Sequence, residues 1–318
     1  MYLNLEDFFM IDFSKFNSIF ELTEYFNSDE RCRRAIRDSR WIKNDVVCPY
    51  CGGHHCVERK DGRYRCPHCK RNFSVLVGTI FENTKISLRK WFIAMYLISC
   101  HKKGISSVQL ATDIHITQKT AWFILHKVRT LYKQYDTPAL EGEVEMDEMY
   151  LGGRETNKHE CKKTEKTQGR SVKTKTPIFG MVEREGSVRA LKVPNTQAAT
   201  LMPIIKQFVA EGSQVFTDEL NAYNGLAGEG YIHMIIHHGI KEYSKGGITT
   251  NSIEGFWAHF KRVVFGTYHF VSKVYLQRYI DEAVYRYNTR KDDEGLRFIH
   301  MFHMAIGKCD YKAVKKVA

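Results

Sequence analysis

Proline is scarce, six residues in 318, and neither an internal repeat nor a low-complexity tract occurs in the chain. With hydrophobic residues at 43% and charged residues at 26%, a disordered or collagen-like chain is excluded. Long apolar runs are missing too. The longest, Trp91 to Cys100, is about half of what a bilayer crossing needs, and Lys90 and His101 flank it. The start of the chain, with Glu6, Asp7 and Asp12, places no basic residues ahead of an apolar stretch, so no secretory signal is expected. Membrane and secreted readings are set aside, and at this length two or three domains are expected rather than one core.

Basic charge is nearly absent where the chain begins. Residues 1–30 hold one Lys/Arg against seven Asp/Glu, whereas residues 31–133 hold 21 against six. The net charge of +12 is therefore concentrated in one block, which is the electrostatic footprint of a polyanion binder.

The sequence divides into five segments and implies an α+β multidomain protein. Residues 1–43 read as an N-terminal helical segment, with Phe16, Ile19, Phe20 and Leu22 near helical spacing. Residues 44–80 are dense in Cys, His and Gly and read as a small metal-stapled unit. Residues 84–136 are helical, interrupted at Lys102-Lys103-Gly104 and again near Ile114-His115-Ile116. Residues 140–292 alternate strands with helices and include a basic surface loop from Glu155 to Thr176. Residues 293–318 are left as a C-terminal tail.

Nine cysteines without a secretory signal argue against a disulfide framework. Four form two C-x2-C knuckles, Cys48/Cys51 and Cys66/Cys69, spaced to hold one Zn²⁺ tetrahedrally as a zinc ribbon. Four thiolates leave no open position for water, so the zinc is structural. Cys56, His54, His55 and His68 compete as ligands but lack symmetric partners. Cys32, Cys100, Cys161 and Cys309 are scattered and read as core or surface thiols.

In the helical segment, serines cap a helix from Ile105, and Thr117 can cap a second one running to about Arg129. Helix, short turn and helix is the helix-turn-helix layout, whose second helix enters the major groove by its first residues. Gln118, Lys119 and Thr120 occupy those DNA-contacting positions, with Ala121, Ile124, Leu125 and Val128 as the buried face. An ordinary helical hairpin is the alternative.

Three acidic positions stand out further along. Val144–Tyr150 alternates like a strand around Asp147, Asp218 ends the strand Gln214–Thr217, and Glu254 sits near the start of a helix from Asn251. Two strands, Ile178–Glu183 and Val188–Val193, and a helix from about Gln197 lie between the first two. That order is the order of an RNase H-like core, in which such carboxylates gather at one sheet edge and hold two metals for phosphoryl transfer. Mg²⁺ suits the chemistry, since it binds through few carboxylates and keeps water and phosphate ligands. Glu145 and Glu148 are rivals to Asp147; Glu145 shares its strand face and Glu148 points the other way. On the third helix Ile253, Trp257, Phe260 and Val264 form an apolar stripe, with Glu254 and Lys261 on the neighbouring face as a metal ligand beside a phosphate contact.

These residues resemble the DDE transposases of bacterial insertion sequences, the ISXO-like group related to the eukaryotic Merlin elements. The resemblance runs through the ribbon, Lys103 to Leu110, Lys119 to Trp122, and Asp147-Glu148-Met149-Tyr150-Leu151-Gly152-Gly153. It continues through Thr217-Asp218-Glu219 with Tyr223, Asn251 to Trp257, Lys261-Arg262 and Tyr285 to Arg290. Thr249-Thr250 departs from relatives that carry histidine then threonine. The resemblance implies Asp147, Asp218 and Glu254 as catalytic acids holding two Mg²⁺ or Mn²⁺ ions, Lys261 as their basic associate, and Lys261 and Arg262 on DNA. It also implies terminal inverted repeats and target DNA as partners, a homo-oligomer on DNA, and a place in the bacterial cytoplasm at the nucleoid. The rival readings are a non-catalytic DNA-binding repressor derived from such an element, and a structure-selective nuclease of the same fold.

Overall fold

The structure is a computed structural model that describes residues 16–41, 45–134, 137–152, 173–236 and 250–307, with 159, 161 and 163. The chain divides into two compact units, Met1–Tyr135 with Lys291–Ala318, and Asp136–Arg290.

In the first unit Ser18 opens α1 (Ile19–Tyr25) with a capping box. Its hydroxyl accepts the Glu21 N–H, and the Glu21 carboxylate accepts the Ser18 N–H. Phe16 and Leu22 are buried while Ile19 and Phe20 are exposed, so the apolar face is narrower than the spacing suggests. After α2 (Asp29–Arg40), three short antiparallel strands follow: β1 (Val57–Glu58), β2 (Tyr64–Arg65) and β3 (Asn72–Phe73). The longest apolar run becomes α3 (Leu88–Cys100), with Trp91, Phe92, Met95 and Ile98 all buried. It is a core helix. Among the described residues no helix is long and apolar enough to cross a membrane. Then come α4 (Ser107–Asp113) and α5 (Gln118–Leu131).

The second unit is a five-stranded mixed sheet covered on both faces. Its strands are β4 (Glu143–Leu151), β5 (Thr176–Glu183), β6 (Val188–Lys192), β7 (Gln214–Thr217) and β8 (Ile232–Ile235), in the order β6-β5-β4-β7-β8. β4, β5 and β6 form an antiparallel meander, while β4, β7 and β8 pair in parallel. Alternation along β4 sends Val144 and Met146 into a core with Leu201 and Ile205 of α6 (Ala198–Phe208). Met149 goes to the opposite core with Ile253, Trp257 and Phe260 of α7 (Asn251–Val263) and Ile280 of α8 (Leu276–Asn288). The expected apolar stripe of α7 is thus its docking face. A notch in β5 receives it: a Cβ on Gly180 would lie 2.4 Å from the Trp257 ring. Gly180 is the register partner of Asp147, so α7 seats directly beside that carboxylate.

The chain then returns to the first unit, which corrects the expectation of a C-terminal tail. Asp293 caps α9 (Glu294–Ile306), whose Phe298, Met301, Phe302 and Ala305 are buried. Phe92 packs on Phe298 and Phe302 with ring centroids 6.2 and 5.4 Å apart, and the Ile80 N–H donates to the Ala305 carbonyl at 3.0 Å. Burying each such ring contributes roughly 1.5–3 kcal/mol, which is why the segment folds back. Residues 308–318 with Cys309, Thr249, and most of the 155–176 loop lie outside the described residues.

Candidate functional site

Parallel strands bring their carboxyl ends to one edge of a sheet. Here Glu143 lies opposite Gln214 and Glu145 opposite Phe216, and the same register continued by two residues meets Asp147 and Asp218. Carboxylate oxygens of Asp147, Glu148 and Asp218 lie within 4.8 Å of one another. Asp147 and Asp218 are half-buried, and Glu148 is buried. Asp218 accepts the Leu220 N–H at 3.0 Å, which turns the chain into the 3₁₀ segment Asn221–Tyr223 rather than an α-helix. The Tyr223 hydroxyl, wholly buried, then donates to Glu148. Burial, reinforced by the Glu148 charge, pushes that hydroxyl well above its ordinary pKa, so it remains a donor. The donor set is oxygen throughout, which fits a hard divalent cation such as Mg²⁺ or Mn²⁺. From sequence Glu148 is only a rival to Asp147, expected to point the other way, and Tyr223 only part of the resemblance; neither is assigned there to the carboxylate group that the structure forms.

Glu145 takes a different role from its strand neighbours. Its side chain is fully buried, and its carboxylate accepts the backbone N–H groups of Ser252 and Ile253 at 2.7 and 3.0 Å. The Ser252 hydroxyl adds a third bond at 3.1 Å, and Arg184 pairs with it at 2.9 Å. A strand carboxylate therefore caps α7, where orphan amides and the helix dipole favour negative charge. Glu254 is the next residue after this cap. Its side chain is exposed, accepts the Thr250 hydroxyl at 3.2 Å, and stands outside the Asp147–Glu148–Asp218 group. Lys261 and Arg262 are exposed in the last turn of α7.

The cysteine knuckles are near copies of each other. Gly52 donates to the Cys48 carbonyl at 2.9 Å as Lys70 does to that of Cys66 at 3.1 Å, and both Gly52 and Lys70 have φ near the left-handed region, 71° and 60°. Cys48 and Cys69 sulfurs are 3.7 Å apart and those of Cys51 and Cys66 3.6 Å. A tetrahedral Zn–S bond of about 2.3 Å requires edges of about 3.8 Å, so the four thiols fit a zinc ion. Burial pushes the Cys66 thiol up, but the amides of Cys69 and His68 outweigh it and hold it at about 6. Cys56 is driven by burial to about 12, and His54 bonds Asp45 at 2.6 Å, so neither competitor joins the group. Tyr64 stacks on Phe73 at 5.8 Å, with Trp41 5.0 Å from Tyr64.

In α5 the Thr117 hydroxyl accepts the Thr120 N–H at 3.3 Å, and Gln118 donates to the Ser107 hydroxyl of α4 at 2.8 Å. Ala121, Ile124, Leu125 and Val128 are buried as expected. Gln118 and Lys119 are exposed and Thr120 half-buried at the open end of the helix, and His115 makes the turn with φ 50°.

These features define a class: a cysteine-ribbon unit followed by a mixed α/β unit with carboxylates at its parallel sheet edge. Residues 139–288 match the ISXO2-like transposase domain, and residues 27–72 match the transposase zinc-ribbon domain. The second match takes in α2 as well as the knuckles. The chain is 29% identical over 243 residues to an uncharacterised protein in transposable element ISH50 of Halobacterium salinarum, covering 72% of this chain and 81% of that protein. It is 33% identical over 102 residues to an uncharacterised transposase-like protein of Haemophilus influenzae, 32% of this chain and 81% of that protein. The chain belongs to the ISXO2-like family of insertion-sequence transposases.

Proposed function

We propose that this chain is the transposase of its own insertion sequence, cutting and joining DNA at one carboxylate site. The observation that carries the reading is the meeting of Asp147, in the middle of β4, with Asp218, just past the carboxyl end of the parallel strand β7. A meander of three antiparallel strands extended by two parallel ones supports an RNase H-like core. The working set is Asp147, Asp218 and Glu254, with Lys261 two turns beyond Glu254 to contact a phosphate. Two Mg²⁺ or Mn²⁺ ions, when bound, supply charge stabilisation on the entering and leaving oxygens. Asp147 holds its position in the middle of β4, paired with Gly180 of β5, Asp218 directly follows the end of β7, and Glu145 fixes the helix that carries Glu254.

The reaction balances without external energy. Water first bonds to the phosphorus at an element end; the 3′ oxygen leaves as a hydroxyl and the flanking strand keeps a 5′ phosphate. That hydroxyl then attacks a target phosphodiester, so one phosphodiester forms as another breaks. The zinc-bearing ribbon and the α4–α5 pair, read as a helix-turn-helix, bind the terminal inverted repeats through Gln118, Lys119 and Thr120, while Lys261 and Arg262 contact DNA at the core. Two ends must be processed together, which calls for a homo-oligomer on DNA, and the substrate places the protein at the nucleoid of the cytoplasm.

The position of Glu254 outside the trio favours a second reading, a DNA-binding repressor that no longer cuts. Incubating the protein and Mg²⁺ with DNA carrying the inverted repeats that flank its gene separates the two. Nicks at the element ends are expected; binding without nicks would leave the repressor.

A further inference from the structure

C-terminal to α7 the second unit carries a feature that the carboxylate site does not use. From Gly255 to Ile280 there is no acidic residue, while Lys261, Arg262, Lys273 and Arg278 are all present. On this basic stretch Phe270 is 79% exposed, and Phe265 and Val274 are exposed with it.

The backbone is built to present it. α7 runs into a π-helical turn, Val264–Tyr268, and His269 follows with φ 59° and ψ −43°, a conformation outside the left-handed well that a residue with a Cβ tolerates only under constraint. Both devices recur at functional sites. The constraint is visible. The Tyr268 hydroxyl donates to Glu282 at 2.9 Å, and Glu282 pairs with Arg286 at 2.6 Å, both side chains buried. The Tyr268 ring packs edge-on to Tyr279 at 4.8 Å, and the Phe270 N–H donates to the Tyr268 carbonyl at 2.6 Å. Tyr268 is anchored to α8, and the next residues are forced outward.

We infer that Phe270 is a wedge that stacks on an unstacked base step of the DNA held by this unit. The inference rests on the transposase reading. A basic stretch free of acidic residues over 255–280 favours phosphate. DNA offers a phenylalanine apolar surface only where bases have parted, and apolar wedges that separate base steps are an established way to distort a duplex. An exposed Phe270 beside the anchored Tyr268, on a stretch that carries Lys261, Arg262, Lys273 and Arg278, fits that partner. Phe265 and Val274, on the same stretch, are exposed as well.

The test uses full-length protein and duplexes of the flanking inverted repeat, with 2-aminopurine placed at successive positions across the cleavage end. Wild-type protein should raise the fluorescence at one step. Phe270→Ala should abolish that rise and slow cleavage about tenfold, the scale of one lost base–aromatic stack. Phe270→Trp should retain the signal, and a mismatch at the same step should restore cleavage to Phe270→Ala. Phe20→Ala, at a 71% exposed phenylalanine of α1 outside this basic stretch, should change nothing. The wedge is overturned if wild-type protein cuts the DNA with no fluorescence change, if Phe270→Ala keeps the signal, or if its sole effect is a shift in sedimentation, which would make the patch a contact between copies. Wild-type protein that neither binds nor cuts the repeat would instead sink the transposase reading, and the wedge with it.

Discussion

The carboxylate of Glu145 on β4 accepts the N–H of Ile253 at 3.0 Å, joining the strand that bears Asp147 to the helix that bears Glu254 across 108 residues of sequence. A buried charge is stable only when fully partnered. Here two amides, a hydroxyl and Arg184 surround it, and Arg184 is itself held by Glu143 at 2.5 Å and stacked 4.3 Å over Phe216. The arrangement ties β4, which bears Asp147, to the start of α7, which bears Glu254.

Glu145→Gln should therefore lower stability by roughly 3 kcal/mol, the cost of breaking a buried ion pair. Asp147→Asn should leave the melting temperature unchanged or raise it, because it relieves repulsion among Asp147, Glu148 and Asp218. Thermal melts of the two variants check the assignment. Equal losses would mean that Glu145 does no more for the fold than its neighbour.

Purified protein should contain about one zinc per chain, bound by Cys48, Cys51, Cys66 and Cys69. Cys66→Ser, or a strong chelator, should unfold the ribbon and weaken DNA binding. Elemental analysis that finds no zinc in folded, DNA-binding protein would remove the metal from the account.

Lys119→Ala should weaken binding to every DNA sequence and reduce the salt dependence by about one unit, as loss of a phosphate contact does. Gln118→Ala should relax preference at one base pair by roughly 1–3 kcal/mol. Since Gln118 also bonds Ser107, its variant should lose a little helix stability. Salt titrations in which both variants behave like wild type would make α4 and α5 a structural hairpin.

Acid should loosen the first unit through α9. Burial, with the nearby His300, depresses His303 to about 4 from an ordinary 6.5. The folded form thus binds fewer protons than the unfolded chain between those values, and stability present above pH 6.5 is lost as pH falls toward 4. The melting temperature should fall through that window in wild type and less steeply in His303→Gln. Identical slopes would place the acid sensitivity elsewhere.

Much of this molecule was legible in its residues. The knuckle spacing located the thiol cluster, and strand patterning put Asp147 within a strand and Asp218 at the end of another. What sequence could not decide was the division of labour among Glu145, Asp147 and Glu148. Alternation tells which face a side chain takes but not what meets that face, and here one face met a helix end and the other Tyr223. Gly180 carried no signal because a notch is defined by what fills it. β8 has four residues with Ile232 and Ile235 exposed, too short a pattern to register. The segment of α9 reads as a C-terminal tail although Phe298, Met301, Phe302 and Ala305 recur at helical spacing, and nothing local says it would return to the first unit.

The most direct test compares Asp218→Asn with wild type on DNA carrying the flanking inverted repeat, measuring cleavage and binding in the same samples with Mg²⁺. Asparagine keeps the shape of the side chain and removes the charge that a divalent ion needs. Cleavage and strand joining should both fall by several orders of magnitude, while repeat binding persists. Full cleavage by Asp218→Asn would contradict the account and leave a family member whose carboxylate edge does not do the chemistry.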